Sequence, residues 1–164
     1  MKKIFTLLVL LAIAVIATNY KSTTVNALED NTAYNLISTS KTQLDDGTYM
    51  IISIYDSINT SRANVFTKNG QAVATNYNSS DEVLWTYTLN ATYEVNTGIS
   101  AVCTSANYVI DINDSNWKFS DGNAYYSSNV AYGVGVFKHK VLFITTQTVN
   151  IDLALTCDVN GNLS

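Results

Sequence analysis

The sequence predicts an all-β protein: a single antiparallel β-sandwich closed by one disulfide. Three observations predict it. Long runs alternate apolar and polar residues, most clearly Val83, Trp85, Tyr87, Leu89, Ala91, Tyr93 and Val95, and a period of two marks a strand with one buried face. No long helical period appears after residue 27, and Asn and Gly punctuate a chain that has no proline, as in sandwiches and small barrels. The only two cysteines, Cys103 and Cys157, each stand on the apolar parity of such a run, with Ile99 and Ala101 in one and Val149, Ile151, Leu153 and Leu155 in the other. Both thiols are therefore expected to point into one core and to pair. The alternative is two buried free thiols that pack as small hydrophobes.

The N-terminus reads as a secretory signal peptide over residues 1–27. Met1-Lys2-Lys3 is basic, Ile4 to Ala17 is apolar apart from Thr6, and Val25-Asn26-Ala27 suits signal peptidase. The apolar run, 14 residues long, is shorter than the roughly 20 that a spanning helix needs. Removal of residues 1–27 leaves six of the nine basic residues against all 13 acidic ones, a net charge of −7. That balance disfavours nucleic acid and anionic membrane surfaces. Export favours the disulfide, because such bonds persist outside the reducing cytosol. The 54-residue separation of the cysteines makes the bond worth at most about 4 kcal/mol in the chain-entropy account.

Residues 28–46 are polar and weakly patterned, and read as a flexible lead segment with a helical turn around Ala33–Ile37. The sandwich domain is expected over 47–164. Tyr49, Ile51, Ile52, Ile54 and Tyr55 form its first strand. Asn69-Gly70 lies between Ala63–Lys68 and Gln71–Thr75, where it signals a type I′ hairpin turn. The long strand over 83–95 follows, with Leu84 the one apolar residue on its polar face. Asn96-Thr97-Gly98 turns it into the Cys103 strand. Tyr108, Ile110 and Ile112 alternate again, Asp114-Ser115-Asn116 interrupts, and Trp117 and Phe119 follow. Asp121-Gly122 reads as another turn. Val130 to Val136, Val141–Ile144 and the Cys157 strand complete the ladder.

Two resemblances go with this pattern. Cys103, Trp117 and Cys157 occur in the order of an immunoglobulin-like sandwich, where a tryptophan packs against the inter-sheet disulfide. Leu155 stands where that fold often has its corner tyrosine, and only seven residues follow Cys157. More of the chain is covered by Trp85-Thr-Tyr-Thr-Leu-Asn-Ala-Thr-Tyr93, Ala101-Val-Cys103-Thr-Ser, Ser115-Asn-Trp117-Lys-Phe and Leu155-Thr-Cys157-Asp-Val-Asn-Gly-Asn-Leu-Ser164. These segments resemble an uncharacterised group of small secreted proteins of Gram-positive bacteria. That resemblance implies export and a disulfide, and nothing about activity.

Residues that could carry chemistry are few. His139 is the sole histidine, between Lys138 and Lys140, and a catalytic base needs an orienting partner that the local sequence does not supply. Zinc needs several Cys or His ligands, so no metal site is expected. Asp111, Asn113 and Asp114 faintly resemble the start of a calcium loop. Asn116 stands where that loop has glycine, and Gly122 where it has glutamate. Tyrosine is abundant, and nine of the 11 lie between Tyr49 and Tyr132. Tyr125, Tyr126 and Tyr132, beside Gly133 and Gly135, could wall a shallow groove for a sugar or peptide, since aromatic rings stack while their hydroxyls hydrogen-bond. The alternative is tyrosine as a good strand former and glycine at a bulge or close sheet contact.

The expected function is that of a secreted, non-catalytic β-sandwich acting by surface contact with an extracellular or cell-wall ligand. It would have no cofactor, no nucleic-acid partner and no stable membrane span once the signal is removed. The rivals are a carboxylate-dependent extracellular hydrolase, which would need two carboxylates across a cleft, and a secreted effector or toxin-like protein.

Overall fold

The computed structural model describes residues 33–44, 47–58 and 63–164. The expected signal peptide lies outside them. The described chain forms eight strands and no helix: β1 (Tyr34–Gln43), β2 (Tyr49–Ser57), β3 (Val65–Tyr77), β4 (Val83–Asn96), β5 (Ser100–Ile112), β6 (Trp117–Ser127), β7 (Val130–Val141) and β8 (Ile144–Thr156). They make a five-stranded sheet in the order β1-β2-β3-β4-β5 and a three-stranded sheet in the order β6-β7-β8. Every pairing is antiparallel between sequence neighbours. Two meanders joined once, at β5–β6, lack the strand-exchanging connections of an immunoglobulin-like domain.

β4 organises the core as its alternation predicts. Trp85, Tyr87, Leu89, Ala91, Tyr93 and Val95 are all buried. They meet Ala131 and Phe137 of β7 and Val149, Ile151, Leu153 and Leu155 of β8 in one cluster. Trp85 stacks on Phe137 with ring centroids 3.9 Å apart, and the Tyr93 hydroxyl donates to the Leu155 carbonyl at 2.6 Å. The sheets thus share one interior, a sandwich-like arrangement.

Trp117 packs edge-on against Trp85 at 6.0 Å and lies tilted against His139 at 5.3 Å. The cysteines lie near Tyr93, eight residues further along β4. The immunoglobulin pairing of tryptophan with cysteines is therefore absent, because the two sit about 25 Å apart along one strand.

Leu84, the exception on the polar face, is a bulge residue: Asn76 pairs with Trp85 and Tyr77 with Val83. Thr104 and Ser120 are extra residues of the same kind in β5 and β6. An inserted residue switches which parity faces inward. The Cys103 pattern and the Tyr108-Ile110-Ile112 pattern are thus one strand with a phase change.

Several local expectations give way to tertiary context. Residues 34–43 form a strand rather than a helical turn. β1 is exposed along almost its whole length and hydrogen-bonds to β2 as a polar edge carrying Lys41, a composition that discourages edge-to-edge association. Asn69-Gly70 is not a hairpin turn: β3 runs straight through it. A Cβ at Gly70 would overlap the Leu163 side chain, so glycine there admits the returning C-terminus. Asp121-Gly122 lies inside β6, just past the Ser120 bulge, with the Phe119 ring over Gly122. Val141–Ile144 is a hairpin tip rather than a strand, with Leu142 and Phe143 at positive φ of 48° and 73°.

Cys103 and Cys157 are buried, as parity predicts, but they are free thiols and the expected disulfide is not formed. Each Sγ instead donates to a nearby carbonyl, Cys103 to Ser105 at 3.3 Å and Cys157 to Asp158 at 3.5 Å.

Candidate functional site

The outer face of the three-stranded sheet gathers the polar parity of β6, β7 and β8. Its rows follow from strand register. Tyr125 pairs with Tyr132, which pairs with Ala154; Asn123 pairs with Val134, which pairs with Asp152. In the next rows, Asp121 opposes Val136, which opposes Asn150, and Lys118 opposes Lys138, which opposes Thr148. Val134 and Val136 form a half-buried floor, with an acid and an amide on either side. The depression over them has a volume of about 340 Å³.

Tyr125 and Tyr132 stand at one end of this face. Their rings stack with centroids 5.0 Å apart and planes 17° from parallel, and Tyr125 is 48% exposed. A directly opposed pair on adjacent strands brings such rings into contact. Tyr126 is exposed but alternates onto the other side of β6, where it pairs with buried Ala131. The structure thus unites two of the three proposed tyrosines and separates the third. Gly133 and Gly135 do not floor the groove. A Cβ on either would lie 3.1 Å from the Tyr87 ring, so they face inward, where they let the two sheets approach.

Residue order alone marks Asp121 only as part of a turn and does not mark Asn123, Asn150 or Asp152 at all. Their signal was the polar parity of each strand, visible one strand at a time; only register shows that the three stripes are one surface. The opposite end of the face is basic, with Lys118 beside Lys138.

The other candidates have structural occupations. The His139 ring lies tilted against Trp117, and its Nδ1 lies 2.8 Å from the Thr146 hydroxyl. Asp114 accepts the Asn116 N–H at 2.9 Å in an Asx turn, and no group of three or more His, Cys, Asp or Glu side chains among the described residues could hold a metal ion. Tyr49 donates to Asp81 at 2.7 Å, while the Lys41 ammonium sits 3.4 Å above its ring. The hydrogen bond to Asp81, followed by burial, pushes the Tyr49 phenol up to about 12. This cluster ties the edge strand β1 to the β3–β4 turn.

The cysteines hang from a single turn. Cys103 N–H donates to the Ser128 carbonyl at 2.8 Å and Cys157 N–H to the adjacent Asn129 carbonyl at 3.0 Å. Burial raises both thiols, Cys157 to about 11. A thiol held protonated is a poor nucleophile, so neither suits covalent catalysis. Comparison with known proteins finds no matching family model, no matching curated protein and no matching solved structure.

Proposed function

We propose that this chain is an exported, non-catalytic binding protein that grips a cell-envelope glycan on the outer face of its three-stranded sheet. The observation that carries this reading is the exposed Tyr125 ring stacked on half-buried Tyr132, beside an open depression edged by Asp121, Asn123, Asn150 and Asp152. A pyranose ring offers C–H faces to an aromatic platform and hydroxyls to carboxylates and amides. Strand-borne side chains hold that pattern with little flexibility. Retention of the protein on purified cell-wall material and on a glycan array tests the reading. The Tyr125→Ala/Tyr132→Ala double variant is expected to lose roughly tenfold in affinity. Absent retention, or retention unchanged in the variant, overturns it.

Export rests on the signal-like N-terminus. We infer that the two buried thiols, whose backbone N–H groups bond successive carbonyls, pair in an oxidising compartment. Mass spectrometry of the exported chain should find two hydrogens lost; thiol labelling of the unfolded, unreduced protein at both positions would contradict it.

A hydrolase is the second reading, because Asp121 and Asp152 flank the same depression. They stand two strands and two residues apart, an α-carbon separation of about 12 Å, on an open surface. Inverting glycosidases hold their carboxyl groups at roughly 6.5–9.5 Å. Release of reducing sugar that disappears in both Asp121→Asn and Asp152→Asn would favour catalysis over binding.

A further inference from the structure

The β7–β8 hairpin ends in an exposed apolar tip. Leu142 is 85%, Phe143 98% and Ile144 68% exposed, with Val141 beside them. A two-residue turn of this kind is ordinarily made by Asn-Gly, because both central residues need positive φ. Here Leu142 and Phe143 hold it at 48° and 73°, against the steric preference of bulky side chains. The tip also projects. β6 last pairs with β7 at His139, and Lys140 N–H donates to the Asn116 carbonyl at 2.8 Å. Beyond Lys140 the hairpin continues unsupported for the Val141–Ile144 pair and the turn, about 7 Å of chain.

Behind the tip lies a basic collar. Lys138 and Lys140 share a parity on β7, and Lys118 of β6 is paired with Lys138. These are three of the five lysines among the described residues of an acidic chain. Among the described residues, three loop carboxylates at this end of the sandwich are engaged internally: Asp81 by Tyr49, Glu82 by Asn78 and Asp114 by Asn116.

We propose that this hairpin docks the protein on an anionic lipid surface, Leu142 and Phe143 entering the bilayer interface while Lys118, Lys138 and Lys140 meet headgroup phosphates. The projection matches the ~5–10 Å to which interfacial segments bury their apolar side chains. Lysines just behind an apolar anchor are complementary to anionic lipid. A second copy is a poorer occupant, since four side chains fall short of the ~20–30 residues a side that a stable protein interface uses. The proposal concerns the hairpin tip and the far, basic end of the face that carries the tyrosine platform, and the tip variants leave Tyr125 and Tyr132 untouched, so either can fail alone.

The test uses a Phe143→Trp variant of the full chain. The native indoles, Trp85 and Trp117, are buried and report little on solvent. With phosphatidylglycerol vesicles the new indole emission should shift to shorter wavelength and be quenched by brominated acyl chains. With phosphatidylcholine vesicles the change should be much weaker. Adding Lys138→Gln and Lys140→Gln should weaken vesicle binding roughly tenfold at low salt. An unchanged emission, or equal response to both lipids, overturns the proposal. Emission already shifted before lipid is added means that a second copy or another segment of the chain covers the tip, and overturns it too.

Discussion

The C-terminal clasp at the cysteine end and the β7–β8 hairpin at the other end solve the same problem, how to reverse the chain, in opposite ways. At the cysteine end the positive-φ turn positions are Gly98, Gly161 and Ser128. That end is closed by hydrogen bonds. Asp158 Oδ1 accepts the Asn160 and Asn162 N–H groups at 2.8 Å each, and Thr156 and Ser164 exchange backbone bonds at 2.8 and 3.0 Å. Leu163 then caps the core over Gly70. At the other end, Leu142 and Phe143 occupy the same unfavourable backbone region and bury almost nothing. The clasp is built for stability. The hairpin carries conformational strain and exposed apolar surface together, a combination that persists where a surface serves contact rather than folding.

Substitutions can break that comparison. The largest effect is expected at the closed end. Leu155→Ala should destabilise by about 2–5 kcal/mol, since it empties a fully buried position between Tyr93 and Gly70. Leu142→Ala at the tip should leave denaturant stability within about 0.5 kcal/mol of the parent. Equal losses would mean the tip is packed in solution.

Next in size, replacing Leu142-Phe143 by Asn-Gly should raise stability by about 1–2 kcal/mol by relieving the turn, measured as a higher midpoint of thermal unfolding. The same exchange should abolish vesicle binding. A gain in one with a loss in the other is the mark of strain kept for contact; a stability loss would show that the apolar tip supports the fold.

The smallest effect is electrostatic. The Asn162 side chain, helped by backbone N–H groups, holds the Asp158 carboxyl below its ordinary value. A lowered folded-state value contributes stability that is present above the unfolded value, near pH 4, and is lost as pH falls through the folded one. Amide exchange at Asn160 and Asn162 should therefore rise, relative to the Asp158→Asn variant, only below about pH 4. Protection in the two chains that stays parallel down to pH 2 would remove the carboxylate from the clasp.

Part of this architecture is legible in residue order. β4 and the inner parity of β8 are plain, because a face wholly buried or wholly exposed leaves an unbroken alternation. β1 is not, because an edge strand exposed on both faces needs no apolar alternation and is held mainly by its backbone bonds to β2. The candidate platform was half legible. Tyr125 and Tyr132 stand seven residues apart in the chain, but they touch because β6 and β7 pair around Ser128-Asn129, and Tyr126 leaves the site by the same alternation. The basic collar was not legible: Lys118 and Lys138 are remote in sequence, and net charge averages them away.

By itself the sequence determined the all-β class, the strand that organises the core and the inward direction of both cysteines. Each follows from a period of two, which needs no knowledge of partners. Only the tertiary structure decided which glycines turn the chain and which admit a neighbour. Gly98 turns it; Gly70 and Gly133 make room for Leu163 and Tyr87. Local backbone freedom and the absence of a side chain leave the same letter in the sequence, and only the atoms packed against each glycine tell them apart.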